Sequence, residues 1–291
     1  MTERCTPDLC GQRARSASQG SITVERVALV LPRLPAEFNA MTVAVVSDIH
    51  AGSRNSGRAS VAEVVERTNA LGADLIVVLG DVVHSAANAN SYLPVLSGLE
   101  ANEGVYACLG NHEHGFVWYS RYLGASRAPS VDRWRALYAE AGIQLLVNEA
   151  KPLPRGRSRI WLLGVDDAYS GNDDLAAALA QARASEFCLA LTHSPDLVDD
   201  PQVREVDLVL AGHTHGGQIC FPLMGPLFAP CRQFRRRAAG LLRANGTTMY
   251  VTRGSGEALP VRINCPREIS LVSLMCVQGP PLARDRERFR T

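Results

Sequence analysis

The chain has 291 residues, 46% of them hydrophobic and 20% charged, with Lys+Arg 30 against Asp+Glu 29 for a formal net charge of +1. That apolar content excludes a disordered chain, and the charge balance excludes the broad basic face of a general nucleic-acid binder. Eight cysteines form no CxxC pair, so a thiolate metal site is not expected. Scattered free thiols favour a reducing compartment.

The first twenty residues are polar and rich in Arg and Ser, and the apolar run Val27–Leu31 stops at Pro32. A signal peptide needs an apolar region of about 7–15 residues and a spanning helix about 20. Residues 1–34 are therefore expected to be a flexible tail and lead-in, residues 35–278 one domain, and residues 279–291 a second tail. A cytoplasmic protein is expected, with peripheral contact at the inner membrane as its only membrane association. From there a pattern recurs: a short apolar run, a polar residue, then a turn. It occurs in Thr42–Ser47 before Asp48, in Leu75–Leu79 before Gly80-Asp81, and in Val105–Leu109 before Gly110-Asn111-His112. It returns in Phe187–Thr192 before His193 and in Val206–Ala211 before Gly212-His213. Continuous β-branched runs of this length predict strands covered on both faces. Helical patterns over 59–71, 131–141 and 173–184 lie between them, which points to a layered α/β fold. Later runs at 237–242, 247–252 and 269–277 predict a second sheet packed on the first.

In such folds ligands gather at the carboxyl ends of strands, where these polar residues stand. Asp48 and His50 are two positions apart, as are His213 and His215; in extended chain each pair would point to one side. Asp81, Asn111 and His193 add a carboxylate, an amide oxygen and an imidazole. Mixed oxygen and imidazole ligands suit Mn²⁺, Fe²⁺ or Zn²⁺. The set is too large for one cation with an open position and about right for two, which can share a bridging carboxylate.

The ordered segments Asp48-Ile-His50, Gly80-Asp81, Gly110-Asn-His-Glu113, Thr192-His193 and Gly212-His-Thr-His215 resemble the signature of the calcineurin-like metallophosphoesterases. The stretch from Gly212 to Ile269 is similar to the bacterial YkuE-type branch, which includes enzymes acting on UDP-diacylglucosamine. The resemblance implies a four-layer αββα sandwich with two mixed β-sheets and a dinuclear metal site at the strand ends. It implies one ion held by Asp48, His50, Asp81 and His215, another by Asp81, Asn111, His193 and His213, and hydrolysis of a phosphoester by a hydroxide bound between them. His112 would be the acid for the leaving oxygen, with Glu113 orienting it. Gly80-Asp-Val-Val-His84 ends in His where many relatives have Asp.

Other residues carry two readings. Asp166-Asp167 end the run Ile160–Val165 and serve either a turn or the substrate. His114 reads as a loop histidine facing solvent. The segment Ile219–Ala229 combines Gly and Pro with large apolar side chains, and Arg232, Arg235, Arg236 and Arg237 follow. It is either a core plug or a lip for a lipid-like phosphodiester or a nucleotide-sugar pyrophosphate. Arg262 is a candidate phosphate contact, since an Arg fork matches phosphate geometry. A phosphomonoesterase, a nuclease and a non-catalytic scaffold are the alternatives. The full ligand set argues against the scaffold and the near-neutral charge against the nuclease.

Overall fold

The computed structural model describes residues 22–115, 128–183, 185–257 and 261–277, without the side chains of Phe234 and Arg235. Fourteen strands lie among them: β1 (Thr23–Leu31), β2 (Met41–Val46), β3 (Leu75–Leu79), β4 (Val105–Cys108), β5 (Gln144–Leu145), β6 (Glu149–Arg155), β7 (Ser158–Gly164), β8 (Phe187–Leu191), β9 (Leu208–Ala211), β10 (Cys220–Phe221), β11 (Gly225–Pro226), β12 (Gly240–Ala244), β13 (Thr247–Val251) and β14 (Glu268–Cys276). The first sheet has the order β1-β14-β2-β3-β4-β5 and the second β12-β13-β9-β8-β7-β6. Both are mixed. In the first, β14 runs antiparallel to β2 while β2, β3 and β4 are parallel. In the second, antiparallel β12 and β6 flank a parallel centre.

The apolar runs are continuous because each strand faces two cores. In β2, Val43 and Val45 enter the core between the sheets while Ala44 and Val46 enter the core outside the first sheet. In β3, Leu75, Val77 and Leu79 point inward and Ile76 and Val78 outward. The period of two thus places apolar residues on both sides. The outer core of the first sheet is closed by two helices, Arg58–Asn69 through Val61 and Val64, and Val131–Glu140 through Trp134, Leu137 and Tyr138. Ser130 caps the second helix by accepting the N–H of Arg133. A third core covers the outside of the second sheet under the helix Leu175–Leu179 and the turns at Pro195–Asp199 and Pro201–Glu205. Three cores between four layers give the α-β-β-α sandwich. Among the described residues no helix is long and apolar enough to cross a membrane.

Several local expectations change. The stretch expected as lead-in holds β1, paired in parallel with β14 over its whole length, so the folded unit reaches back beyond residue 35. Its alternation was masked because only Leu29 and Leu31 are fully buried while the rest faces solvent to some degree. The run 269–277 belongs to the first sheet, not the second. Only β12 and β13 of the late strands join the second, together with β7, β8 and β9. Hydrophobic pattern identifies a buried strand but not its neighbour. The helical pattern at 173–184 yields only Leu175–Leu179, and Arg237 ends a short helix, Phe234–Arg237, before β12 begins. The tail over 279–291 lies outside the described residues.

Candidate metal centre

The ends of β2, β3 and β4 from one sheet and of β8 and β9 from the other open onto the same rim. Backbone bonds tie the loops together: the N–H of Asp48 donates to Gly80, that of His50 to Asp81, and that of Gly212 to His193. The N–H groups of Ser255 and Gly256 donate to Ser47 and Asp48 and lock the first loop from above. Asp48, His50, Asp81, His213 and His215 all have φ between 48° and 69°. The i, i+2 pairs therefore converge through left-handed turns, not through the extended chain expected from their spacing. Left-handed residues other than Gly are uncommon, and each costs of order 1 kcal/mol or more. Neighbouring glycines make the room. A Cβ on Gly212 would stand 2.0 Å from Ser47 Oγ and 2.7 Å from Asp48 Oδ2.

The side chains meet in two overlapping groups. His50 Nε2 and His215 Nε2 are 2.9 Å apart, and Asp48 Oδ1 lies 3.4 Å from the His215 nitrogen and 4.0 Å from that of His50. His193 Nε2 has His213 Nδ1 at 3.0 Å, Asn111 Oδ1 at 3.2 Å and Asp81 Oδ2 at 3.3 Å. The same Asp81 oxygen is 3.7 Å from His50 Nε2 and so stands between the groups. Asp81 Oδ1 is turned away and accepts the N–H of His112. His193 donates its Nδ1–H to the carbonyl of Leu79 at 2.7 Å, which aims Nε2 inward. Asp48 Oδ2 is held by Ser47 Oγ and the N–H of His213, leaving Oδ1 to face the imidazoles.

The donors fit a pair of divalent cations. Asp48 Oδ1 is buried without a hydrogen-bond partner, and converging imidazole nitrogens surround it. Burial pushes the Asp48 carboxyl up to about 6 and His213 down to about 3, the latter helped by charge on His193. Burial also drives His50 and His215 well below their usual range. Burial opposes charge on Asp81 as well, yet His193 and His112 hold it well below the ordinary carboxylate range. His193 runs the other way: against burial, Asp81 holds its imidazole well above the usual range. A cation would displace that proton, since neutral imidazoles and ionised carboxylates are the forms that ligate.

Around this cluster His112 Nδ1 donates to the carbonyl of His84 at 2.7 Å, and its Nε2 lies 3.8 Å from Asp81 Oδ2. The hydrogen bonds of Glu113 go elsewhere than to that ring. Its carboxylate accepts the N–H groups of Asp81, Val82 and Gly110; a single sequence could not reveal the first two, which lie 32 and 31 residues upstream. His84 packs beside His50 and His112, with ring centroids 5.9 and 5.2 Å away. His114 is not a solvent-facing loop residue: its Nε2 meets Asp166 Oδ1 at 2.7 Å. Asp167 closes a turn by accepting from Tyr169 and Ser170. That turn presents Tyr169 to His213, with ring centroids 4.6 Å apart, a contact no motif announced. Arg262 lies behind His215, buried, with its guanidinium donating to the carbonyls of His215, Arg253 and Gly256; it is a loop clamp instead of a phosphate contact. Arg237 is likewise buried against Asp196 and Asp199. Arg232 and Arg236 are exposed, and the Arg235 side chain lies outside the described residues. A cleft of about 350 Å³ is lined by Tyr169, Asp196, Phe228, Pro230 and Arg232. Through Tyr169 it adjoins His213.

A family model described as calcineurin-like phosphoesterase matches residues 41–217. The chain is 32% identical over 204 residues to phosphodiesterase YaeI of Escherichia coli, covering 69% of this chain and 70% of that protein. It is 29% identical over 245 residues to the uncharacterized metallophosphoesterase YkuE of Bacillus subtilis, covering 83% and 81%. It is 30% identical over 269 residues to a transmembrane protein with metallophosphoesterase domain of Danio rerio, covering 85% of this chain and 56% of that protein.

Proposed function

Because this chain belongs to the calcineurin-like phosphoesterase family, a family of metal-dependent hydrolases, we propose that it hydrolyses a phosphodiester or pyrophosphate that carries a bulky second substituent. Asp48, His50 and His215 would hold one divalent cation, Asn111, His193 and His213 the other, and Asp81 would serve both. The observation that carries this reading is the position of Asp81 Oδ2, 3.3 Å from His193 and 3.7 Å from His50. When bound, such a pair supplies Lewis-acid stabilisation of phosphoryl charge and a water acidic enough to ionise near neutral pH. The chain's own residues do the rest. Leu79 and Ser47 fix the orientation of His193 and Asp48, and the His84 carbonyl holds the His112 ring with Nε2 toward Asp81. From there His112 can hold a proton for the leaving oxygen or balance charge on the phosphoryl group.

The cleft beside His213 favours a diester over a monoester. A monoester needs room for one substituent, whereas Tyr169, Phe228 and Arg232 offer apolar surface and a cation for a second. A lipid or nucleotide-sugar phosphoester has that combination, and the E. coli relative is named a phosphodiesterase. Mn²⁺, Zn²⁺ or Fe²⁺ suit the donor set. The free thiols among the described residues fit a reducing, cytoplasmic setting. A substrate panel with Mn²⁺ tests the reading. Bis-nitrophenyl phosphate, phospholipid and sugar-nucleotide esters should turn over faster than nitrophenyl phosphate. A preference for the monoester would overturn it, as would turnover that survives chelation.

A further inference from the structure

The chain leaves the metal centre through a hairpin that is unusual for a surface loop. After His215, strands β10 and β11 pair with Phe221 opposite Gly225 and Cys220 opposite Pro226. The base is fastened to the centre: the N–H of Leu227 donates to Ile219, and Gly217 packs so closely that a Cβ would stand 2.6 Å from Pro226. The tip carries Leu223, which is fully exposed, and Met224, Leu227 and Phe228 are each more than half exposed. Ile263, bridged to Ile219 at the hairpin's base, extends the apolar surface. From Ile219 to Cys231 no residue carries a charge.

Leu223 is the informative residue. Its φ is 68°, a left-handed position at a turn where Gly or Asn is favoured on backbone grounds and a polar residue on solvation grounds. A leucine is unfavourable there on both counts in water, but not when the tip enters an apolar phase. Two exposed cations follow the hairpin and lie beside its second strand and Phe228. The helix Phe234–Arg237 packs on β11 with Arg236 exposed, and Arg232 reaches Asp199 at 3.5 Å with most of its side chain still in solvent. Apolar side chains at a protruding tip with Arg behind them match the two layers of an anionic bilayer surface, hydrocarbon below and phosphate above. Phe228 and Arg232 also line the cleft next to His213, so a tip inserted in lipid would bring the mouth of the metal centre to the headgroup layer.

We propose that the hairpin Ile219–Phe228 is a membrane-docking element that seats the metal centre on an anionic lipid surface. Docking of this kind does not depend on the reaction, so the two can fail separately. The full-length, Mn²⁺-loaded protein is sedimented with phosphatidylcholine vesicles containing about 30% phosphatidylglycerol and with vesicles of phosphatidylcholine alone. The anionic vesicles should carry down more protein, and added salt should weaken that binding. Leu223→Glu/Met224→Glu should lower partitioning by about tenfold or more while hydrolysis of soluble bis-nitrophenyl phosphate stays at the wild-type rate. Leu223→Gly relieves the backbone while deleting the side chain, so it should melt no lower than wild type and still bind vesicles more weakly. Wild-type protein that stays in the supernatant, or variants that sediment equally well, would overturn the proposal. So would a wild-type dimer that Leu223→Glu/Met224→Glu dissociates, since the hairpin would then cover a second copy. Loss of diester hydrolysis with intact vesicle binding would instead count against the proposed reaction.

Discussion

Glu113 Oε2 accepts the backbone N–H of Asp81 at 2.8 Å, and the same oxygen accepts that of Gly110 at 2.9 Å. One buried carboxylate therefore ties the loop that presents Asp81 to the loop that presents Asn111. Glu113→Gln turns an amide N–H₂ toward donors that need an acceptor. Metal affinity should fall about ten- to a hundredfold, and stability by about 1–3 kcal/mol. Metal titration and thermal melts check both. If Glu113 served only to orient His112, turnover would fall with metal affinity unchanged.

His112 contributes no donor atom to the two ligand groups assigned above, and its ring is fixed from outside by the His84 carbonyl. His112→Ala should keep its metal and slow turnover by roughly 10²–10⁴-fold, the usual range for a positioned acid. Metal analysis beside steady-state rates separates this from a ligand's behaviour. A variant that lost metal but kept its rate per bound ion would show His112 to be a ligand.

Gly212→Ala is a one-carbon test of the Asp48 side of the centre. The new Cβ would collide with Ser47 Oγ, the group that holds Asp48 Oδ2. The ion held by Asp48, His50 and His215 should be lost first, so titration should reveal one weakened site while the other is retained. Equal weakening of both would mean that Asp48 and Asp81 move as one unit.

The His114–Asp166 pair gives a pH signature. Burial opposes charge on His114, but its bond to Asp166 holds the imidazole above its ordinary value. A histidine with a raised folded value stabilises the fold fully below its unfolded pKa, about 6.5, and loses that contribution as pH rises through the folded one. His114→Gln should therefore cost about 1–2 kcal/mol below that range and progressively less above it. Denaturant melts on both sides of neutrality provide the measurement. A loss that grows with pH would assign the contact to neutral histidine.

The strand ends and their polar residues were legible because each strand announces itself locally, with apolar residues facing two cores, as in Val43–Val46. What the local pattern could not carry was non-local. Whether 269–277 pairs with β2 or with β13 depends on sheet order, and the partners of Glu113 and Arg262 depend on loops far away in sequence. The spacing of Asp48 and His50 suggested convergence correctly but for the wrong backbone, since extended geometry and paired left-handed turns both bring i and i+2 together. Tyr169 carries no motif. Its place against His213 follows from a turn that Asp167 closes.

The pairing of β1 with β14 bears on how the molecule is made. Thr23 Oγ1 donates to the carbonyl of Arg267, 244 positions later, and β14 inserts between β1 and β2. On the ribosome, β1 must wait for its partner β14 while every metal-binding residue through His215 emerges, because β14 is translated after all of them. The clasp of Ser255 and Gly256 on Ser47 and Asp48 is equally late. Contacts of such long range are slow to form, and an unpaired strand edge invites association in the meantime. A nascent chain stalled before Glu268 should thus hold the second sheet in folded form while its Asp48 loop is still loose, so that competence to bind metal waits for β14 to be made.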